Sequence, residues 1–215
     1  MERSPVPMND PAVAQTQPPV DMHTTPYGQV HSATSVLALA MRLHQAIRDG
    51  SITEAMLHPT PRVTNADPNG PSFEFGEVTF GREAFESLSF NMMAAACSVA
   101  VIQVDAVLSR LHDGTRGAGF EDLRDFVYML RCAFGHDPVV PRWEIRKPKY
   151  KRVVEIKVIG LRVDLRALAG QPFDPAQIGG WVAILSLLEH ARQVVGRIDH
   201  VTVAALGHPA IRPLP

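Results

Sequence analysis

Cysteine is scarce in this chain: Cys97 and Cys132 are the two among 215 residues. Each falls among apolar neighbours in a predicted helix, with no C-x-x-C spacing and no Cys/His cluster of zinc geometry. That excludes a disulfide framework and leaves two structural thiols in a reducing compartment as the expectation. An excess of one charge is also lacking. Net charge is −1, from 21 Lys+Arg against 22 Asp+Glu, so no whole-molecule field draws the chain to nucleic acid or to a membrane. Lysine itself is rare, and its four residues, Lys147, Lys149, Lys151 and Lys157, all fall in one short stretch. Long hydrophobic runs are missing too. Met92 to Ile102 is the longest, well short of the about 20 residues a spanning helix needs, and the opening MERSPVPMND has no apolar h-region. The expected location is the cytoplasm, with no membrane partner. No P-loop, G-x-S-x-G or dinucleotide fingerprint appears, so no cofactor and no metal are expected.

What is present is mostly helix. Residues 1–30 carry Pro5, Pro7, Pro11, Pro18, Pro19 and Pro26 without periodicity, and read as a disordered tail. A first helix is predicted from about Ser35 to Arg48, ended by Asp49-Gly50. A polar loop follows from His58 to Pro71. The aromatics of Phe73 to Phe80 then flank a Gly-Glu pair, which suggests a small hairpin or an extended lead-in. The second helix, about Arg82 to His112, has the strongest period. Phe85, Leu88, Met92, Ala95, Val99, Ile102 and Ala106 recur three and four apart, and Met93, Ala96, Ala100, Val104 and Val107 add a second apolar face. A helix apolar on two faces is central in a bundle or shared with a partner chain, so a homodimer through this helix is expected.

A third helix is predicted from about Glu121 to Phe134, with Leu123, Val127, Leu130 and Phe134 as its core stripe and Gly135 and Pro138 as its stop. The period then changes. Trp143 to Ile145, Val153 to Val158 and the cleanly alternating Leu161 to Leu165 read as strands, with a turn at Ile159-Gly160. Asp174-Pro175 opens a fourth helix as N-cap and first helical residue, placing Gly179-Gly180 in its first turn. The expected fold is mainly α: a bundle of about four helices, with a small antiparallel ribbon near residues 142–166 inserted between the last two. One domain over 31–204 and a flexible tail over 205–215 complete the organisation.

One short motif carries chemistry. Arg131 and His136, at the end of the third helix, are separated by four residues. In a continuous helix they stand about 140° apart, but a helix that stops at Gly135 lets His136 turn back toward Arg131. Histidine as a residue type takes or gives a proton near neutral pH, and so serves attack by a ribose 2′-hydroxyl or departure of the 5′-oxygen. Arginine forks onto a phosphate and stabilises its transition-state charge. No metal enters this scheme, and a symmetric dimer would bring two such pairs together.

The segment Arg131-Cys132-Ala133-Phe134-Gly135-His136 resembles the R-x4-6-H motif of the HEPN superfamily. The resemblance implies an all-helical bundle, a metal-independent endoribonuclease of toxin or phage-defence type, an active site formed at a dimer interface, and an antitoxin protein as a further partner. Arg131 and His136 match the motif arginine and histidine. The residue after the arginine, usually Asn, Asp or His in that superfamily, is Cys132 here.

Plainer readings stand beside these. Arg and His in a last helical turn interact well with the helix dipole and its free carbonyls, which is capping rather than catalysis. On that reading the chain is a non-catalytic helical binding module. Arg124, Tyr128 and Arg131 share one helical face and could contact RNA, or could form a solvated stripe. Arg142, Lys147 and Lys149, with their basic neighbours, could hold an RNA backbone, or could guard a strand edge. His44, His112 and His190 lie on separate predicted helices and form no ligand pair.

Overall fold

The computed structural model describes residues 25–57, 62–63, 73–74, 81–111 and 119–205. Its order is helix α1 (Pro26–Arg48), strands β1 (Arg62–Val63) and β2 (Phe73–Glu74), helices α2 (Arg82–Arg110) and α3 (Phe120–Phe134), strands β3 (Val153–Ile156) and β4 (Leu161–Asp164), the single turn α4 (Leu165–Leu168) and helix α5 (Trp181–Ala205). The fold is mainly α, with the ribbon between α3 and α5 as expected. α2 lies at the centre, against α1, α3 and α5. Leu37 of α1, Val101, Val104 and Leu108 of α2, Phe126 and Leu130 of α3, and Ile184, Leu187 and Leu188 of α5 meet in one core, all fully buried. By length and composition α2 could cross a membrane, since an 18-residue window has a mean hydropathy of 1.8; 56% of that window is buried among the other helices.

Several elements differ from expectation. α1 begins at Pro26, not Ser35. Thr25 caps it by accepting from the Gly28 amide at 3.0 Å, and Pro26 fills the first turn, where its missing N–H costs nothing. The tail assigned to residues 1–30 therefore ends inside a helix whose Val30 is fully buried; residues 1–24 lie outside the described residues, as do 206–215. Phe73–Glu74 pairs with Arg62–Val63 rather than within 73–80, and residues 75–80 are outside the described set.

Trp143 to Ile145 is extended but forms no strand. Its neighbour Arg142 makes an isolated bridge to Pro172. Backbone bonds from Trp143 to Gln171 (3.0 Å), from Gly170 to Trp143 (2.8 Å) and from Phe173 to Pro141 (2.9 Å) tie this segment down. Trp143 is buried between Phe126 and Phe173, and its indole N–H donates to Gln177 at 2.8 Å. β3 and β4 pair antiparallel in the register Val154↔Val163 and Ile156↔Leu161, with those four side chains buried. Lys157 and Val158, expected to continue β3, form a 3-10 turn with Ile159 instead, and the expected turn at Ile159-Gly160 therefore begins two residues early. Asp174 does cap, accepting from Ala176 while Gln177 reaches back to the Asp174 amide. The helix it opens is only a 3-10 turn, Pro175–Ile178, because Gly179 (φ 90°) and Gly180 (φ 86°) are both left-handed, which no α-helix accommodates. α5 restarts at Trp181.

Candidate active site

α3 carries the motif because its amphipathic pattern leaves one stripe uncovered. Leu123, Phe126, Val127, Leu130 and Phe134 face the core, which turns Arg124, Tyr128 and Arg131 outward together. The end of the helix is held from two sides. The buried Ser98 hydroxyl of α2 donates to the Phe134 carbonyl at 3.3 Å, and the Arg142 amide donates to the Ala133 carbonyl at 3.2 Å. Gly135 caps the helix with an ordinary right-handed φ of −72°, its amide 2.8 Å from the Arg131 carbonyl. The expectation that Gly135 ends the helix holds. His136 follows it, exposed, and Asp137 then closes the turn by accepting from the Val139 and Val140 amides, each at 2.9 Å.

Two adjoining hollows lie along this stripe. One, of about 400 Å³, is lined by Arg131, Cys132, Gly135 and His136 from the end of α3 and by Glu144, Arg146 and Lys147 from the segment that follows. The second, of about 540 Å³, continues past Arg131 to Arg124, Lys147, Lys149 and Asp105. Ile102, Tyr128, Arg131, Lys147 and Tyr150 line both, so the two form one groove. Arg124 and Arg131 are two helical turns apart along it, about 10 Å. Two tyrosines line it throughout. The rings of Tyr128 and Tyr150 lie 5.1 Å apart and tilted by 32°, Lys149 sits 4.5 Å above the Tyr150 ring, and the Arg131 guanidinium is 5.8 Å from that of Tyr128.

Of the residues singled out in the sequence, Arg124, Tyr128, Arg131, His136, Lys147 and Lys149 all line this groove. Arg142 does not; it donates to the Gly170 carbonyl at 3.1 Å and helps fasten the segment after the motif. Arg152 is likewise occupied, bridging Asp122 and Asp125 of α3. Arg146 lines the groove but pairs with Glu144 at 2.6 Å. Sequence reasoning missed Tyr150, Glu144 and Asp105. Asp105 carried a readable signal, since no other charged residue stands between Glu86 and Arg110 in α2.

The electrostatics separate the polar groups. Burial pushes the Asp105 carboxyl above the usual range, while the Arg131 and Arg124 charges and a hydrogen bond with the Ser109 side chain pull it down. Burial also raises the Cys132 thiol, against a hydrogen bond with Tyr128 and the Arg131 charge, and that same bond keeps the Tyr128 phenol protonated. Cys132 is therefore a thiol, not a thiolate nucleophile. A second polar pair lies elsewhere, where Ser89 Oγ is 2.7 Å from His44 Nδ1 and donates to the Glu86 carbonyl at 2.7 Å. The serine proton is thus committed to backbone, and the histidine donates to it rather than activating it. Among the described residues, no three His, Cys, Asp or Glu side chains gather closely enough to hold a metal ion.

Compared with family models, with curated proteins and with solved structures, the chain matches none.

Proposed function

We propose that this chain is a HEPN-like, metal-independent endoribonuclease of toxin or phage-defence type, and that the α3 groove is its active site. The observation that carries the reading is the shared lining of Arg131 and His136 in a groove that also holds Arg124, Lys147 and Lys149 above two tyrosine rings. Cations track a phosphate backbone, and aromatic rings stack on unpaired bases. Together they favour single-stranded RNA. Arg131 binds the scissile phosphate and stabilises its developing charge; His136 takes the proton of the attacking 2′-hydroxyl or gives one to the leaving 5′-oxygen. The product of such a step ends in a 2′,3′-cyclic phosphate.

One histidine supplies one of the two proton transfers, and a second copy of the chain would supply the other. Leu88, Met92, Val99 and Ile102 of α2 are 39%, 58%, 51% and 40% exposed, at the spacing of a helix–helix seam. Ile102 is also a wall of the groove, so a copy seated on this stripe reaches the site. An antitoxin protein covering the same stripe is the alternative occupant.

The test is incubation of the purified chain with mixed RNA, with and without EDTA. Cleavage that survives EDTA, leaves cyclic phosphate ends and disappears in both His136→Ala and Arg131→Ala supports the reading. Full activity in His136→Ala refutes it. Cys132→Asn, which restores the residue usual in the superfamily, should raise the rate. A second reading, a groove that holds single-stranded RNA without cutting it, is favoured by the paired tyrosines and by Cys132 in that position; oligonucleotide binding without cleavage identifies it.

A further inference from the structure

α2 buries one acid beside the groove, and nothing in the scheme above uses it. Asp105 is 7% exposed. Its Oδ2 is 3.6 Å from Arg131 Nε, and its Oδ1 is buried with no hydrogen-bond partner. Arg131 and Arg124 face it from α3, Ser109 one turn further along α2 makes a side-chain hydrogen bond with the carboxyl, the Cys132 thiol feels its charge, and Lys147, Lys149 and the phenols of Tyr128 and Tyr150 lie along the same groove.

Burying a carboxylate with one oxygen unmet is costly, and the Ser109 hydrogen bond and an arginine at 3.6 Å offset only part of that cost, since the carboxyl still titrates above its usual range. The position is otherwise suited to an apolar residue, since Val101, Val104 and Leu108 on the same helix are fully buried. A group that costs stability while lying against the arginine of a groove has the character of a functional residue. The geometry gives it a task. The arginine atom nearest the carboxylate is Nε, and engagement there leaves both Nη groups for the end-on fork that binds phosphate.

We propose that Asp105 is a positioning residue, which holds the Arg131 guanidinium over the groove with its Nη groups turned to the phosphate. The proposal rests on the ribonuclease reading for its consequence, but not for its geometry. The linkage sign is fixed by desolvation. A carboxyl whose folded pKa is raised weakens the fold as pH rises from its unfolded value through its folded value, and the full penalty stands above both. At neutral pH, then, removing the charge should relieve the fold while harming the site.

The experiment uses the full chain and Asp105→Asn, with three measurements: thermal melting, steady-state RNA cleavage, and the ¹⁵N-correlated Nε–H resonance of Arg131, assigned by its loss in Arg131→Ala. The expected result is a melting temperature equal to or above that of the parent. The kcat should fall by up to about 10²-fold, the scale of a small misplacement of a catalytic group, with KM little changed. The Arg131 resonance should shift with pH in the parent and lose that titration in Asp105→Asn. Unchanged cleavage in Asp105→Asn, where Arg131→Ala is inactive, overturns the proposal and leaves the site reading standing. A clear fall in melting temperature also overturns it, because the carboxylate is then structural. If the parent cleaves no RNA, the ribonuclease reading fails by itself and the resonance decides. An Arg131 signal identical in parent and variant at every pH shows that Asp105 does not hold it.

Discussion

Gly135 is where the motif is most sensitive to a single methyl group. Its φ of −72° is open to any residue, so conformational freedom does not explain the glycine. Close approach does: a Cβ there would stand 2.7 Å from the Arg131 carbonyl oxygen, where ordinary contact begins at 3.4 Å. In Gly135→Ala the turn must open by several tenths of an ångström, and the backbone bond from Gly135 to Arg131 lengthens with it. Such overpacking costs about 1–3 kcal/mol. The smaller freedom of alanine in the unfolded chain returns about 0.4–1 kcal/mol, so a net loss of about 1–2 kcal/mol is expected, or roughly 2–8 °C in melting temperature for a domain of this size. The catalytic effect should be larger, because His136 is carried by the same turn, and a shift of about 1 Å costs about 10²-fold in rate. Gly81→Ser is the control. Gly81 precedes α2 at φ −66° with nothing near its absent side chain, so serine can cap the helix and should hold or raise the melting temperature. Fluorimetric melting and RNA cleavage on the two variants decide the matter. If Gly135→Ala melts like the parent and cleaves like it, the turn is slack and the geometric account of His136 is wrong.

Three further outcomes follow from the structure. Deleting residues 1–24, whose sequence is proline-rich and without apolar periodicity, should barely move the melting temperature, whereas deleting 1–30 should lower it. The longer deletion removes the Thr25 cap, worth about 1 kcal/mol, and the fully buried Val30, worth about 1.5–3 kcal/mol; equal melting of the two truncations would count against this start of α1. Val99→Glu should halve the light-scattering mass at micromolar concentration without lowering the melting temperature, since Val99 is half exposed in a single chain; a parent mass of one chain refutes the seam. Cys97, fully buried and with its thiol pushed up to about 12, should resist iodoacetamide at pH 8 until the chain unfolds, and mass spectrometry of the folded protein after labelling checks it.

The helices were legible where periodicity and a stop signal coincided. α2 and α3 begin and end within two residues of expectation, because three-and-four spacing runs unbroken along each and Gly135 marks the end of α3. α1 was misplaced because proline was weighed as a breaker, when at a first turn behind Thr25 it is a starter. The fourth helix was placed too early for a related reason. The capping signal at Asp174 was real, but two successive left-handed glycines limit it to one 3-10 turn, and spacing alone does not distinguish a pause from a first turn. In the groove, residues on one helical face were found together because a face is a local property. Tyr150 comes to the same groove from beyond the α3 stop and Asp105 from α2, brought there by packing that no window of neighbouring residues contains.

The same distinction governs how α2 is to be understood. Its sequence shows two apolar faces, and periodicity says that each is suited to burial without saying what buries it. In the folded chain Met93, Ala100, Val104 and Val107 are covered, while the more regular stripe, Leu88, Met92, Val99 and Ile102, remains open. Leaving that much apolar side chain in water is unfavourable, and a stripe along one helix can pair with its own copy about a two-fold axis, so a second copy can cover it without any new surface chemistry. The stripe also ends at Ile102, which lines the same groove as Arg131. On the proposed reading, burying it would also cover Ile102 in the groove wall and strengthen the charge interactions beside it by excluding water. On this argument the apolar face of α2 and the polar face of α3 serve one site, and dilution below the dimer dissociation constant should lower the specific activity per chain; a specific activity independent of concentration, in a chain that cleaves RNA, would show that one groove suffices.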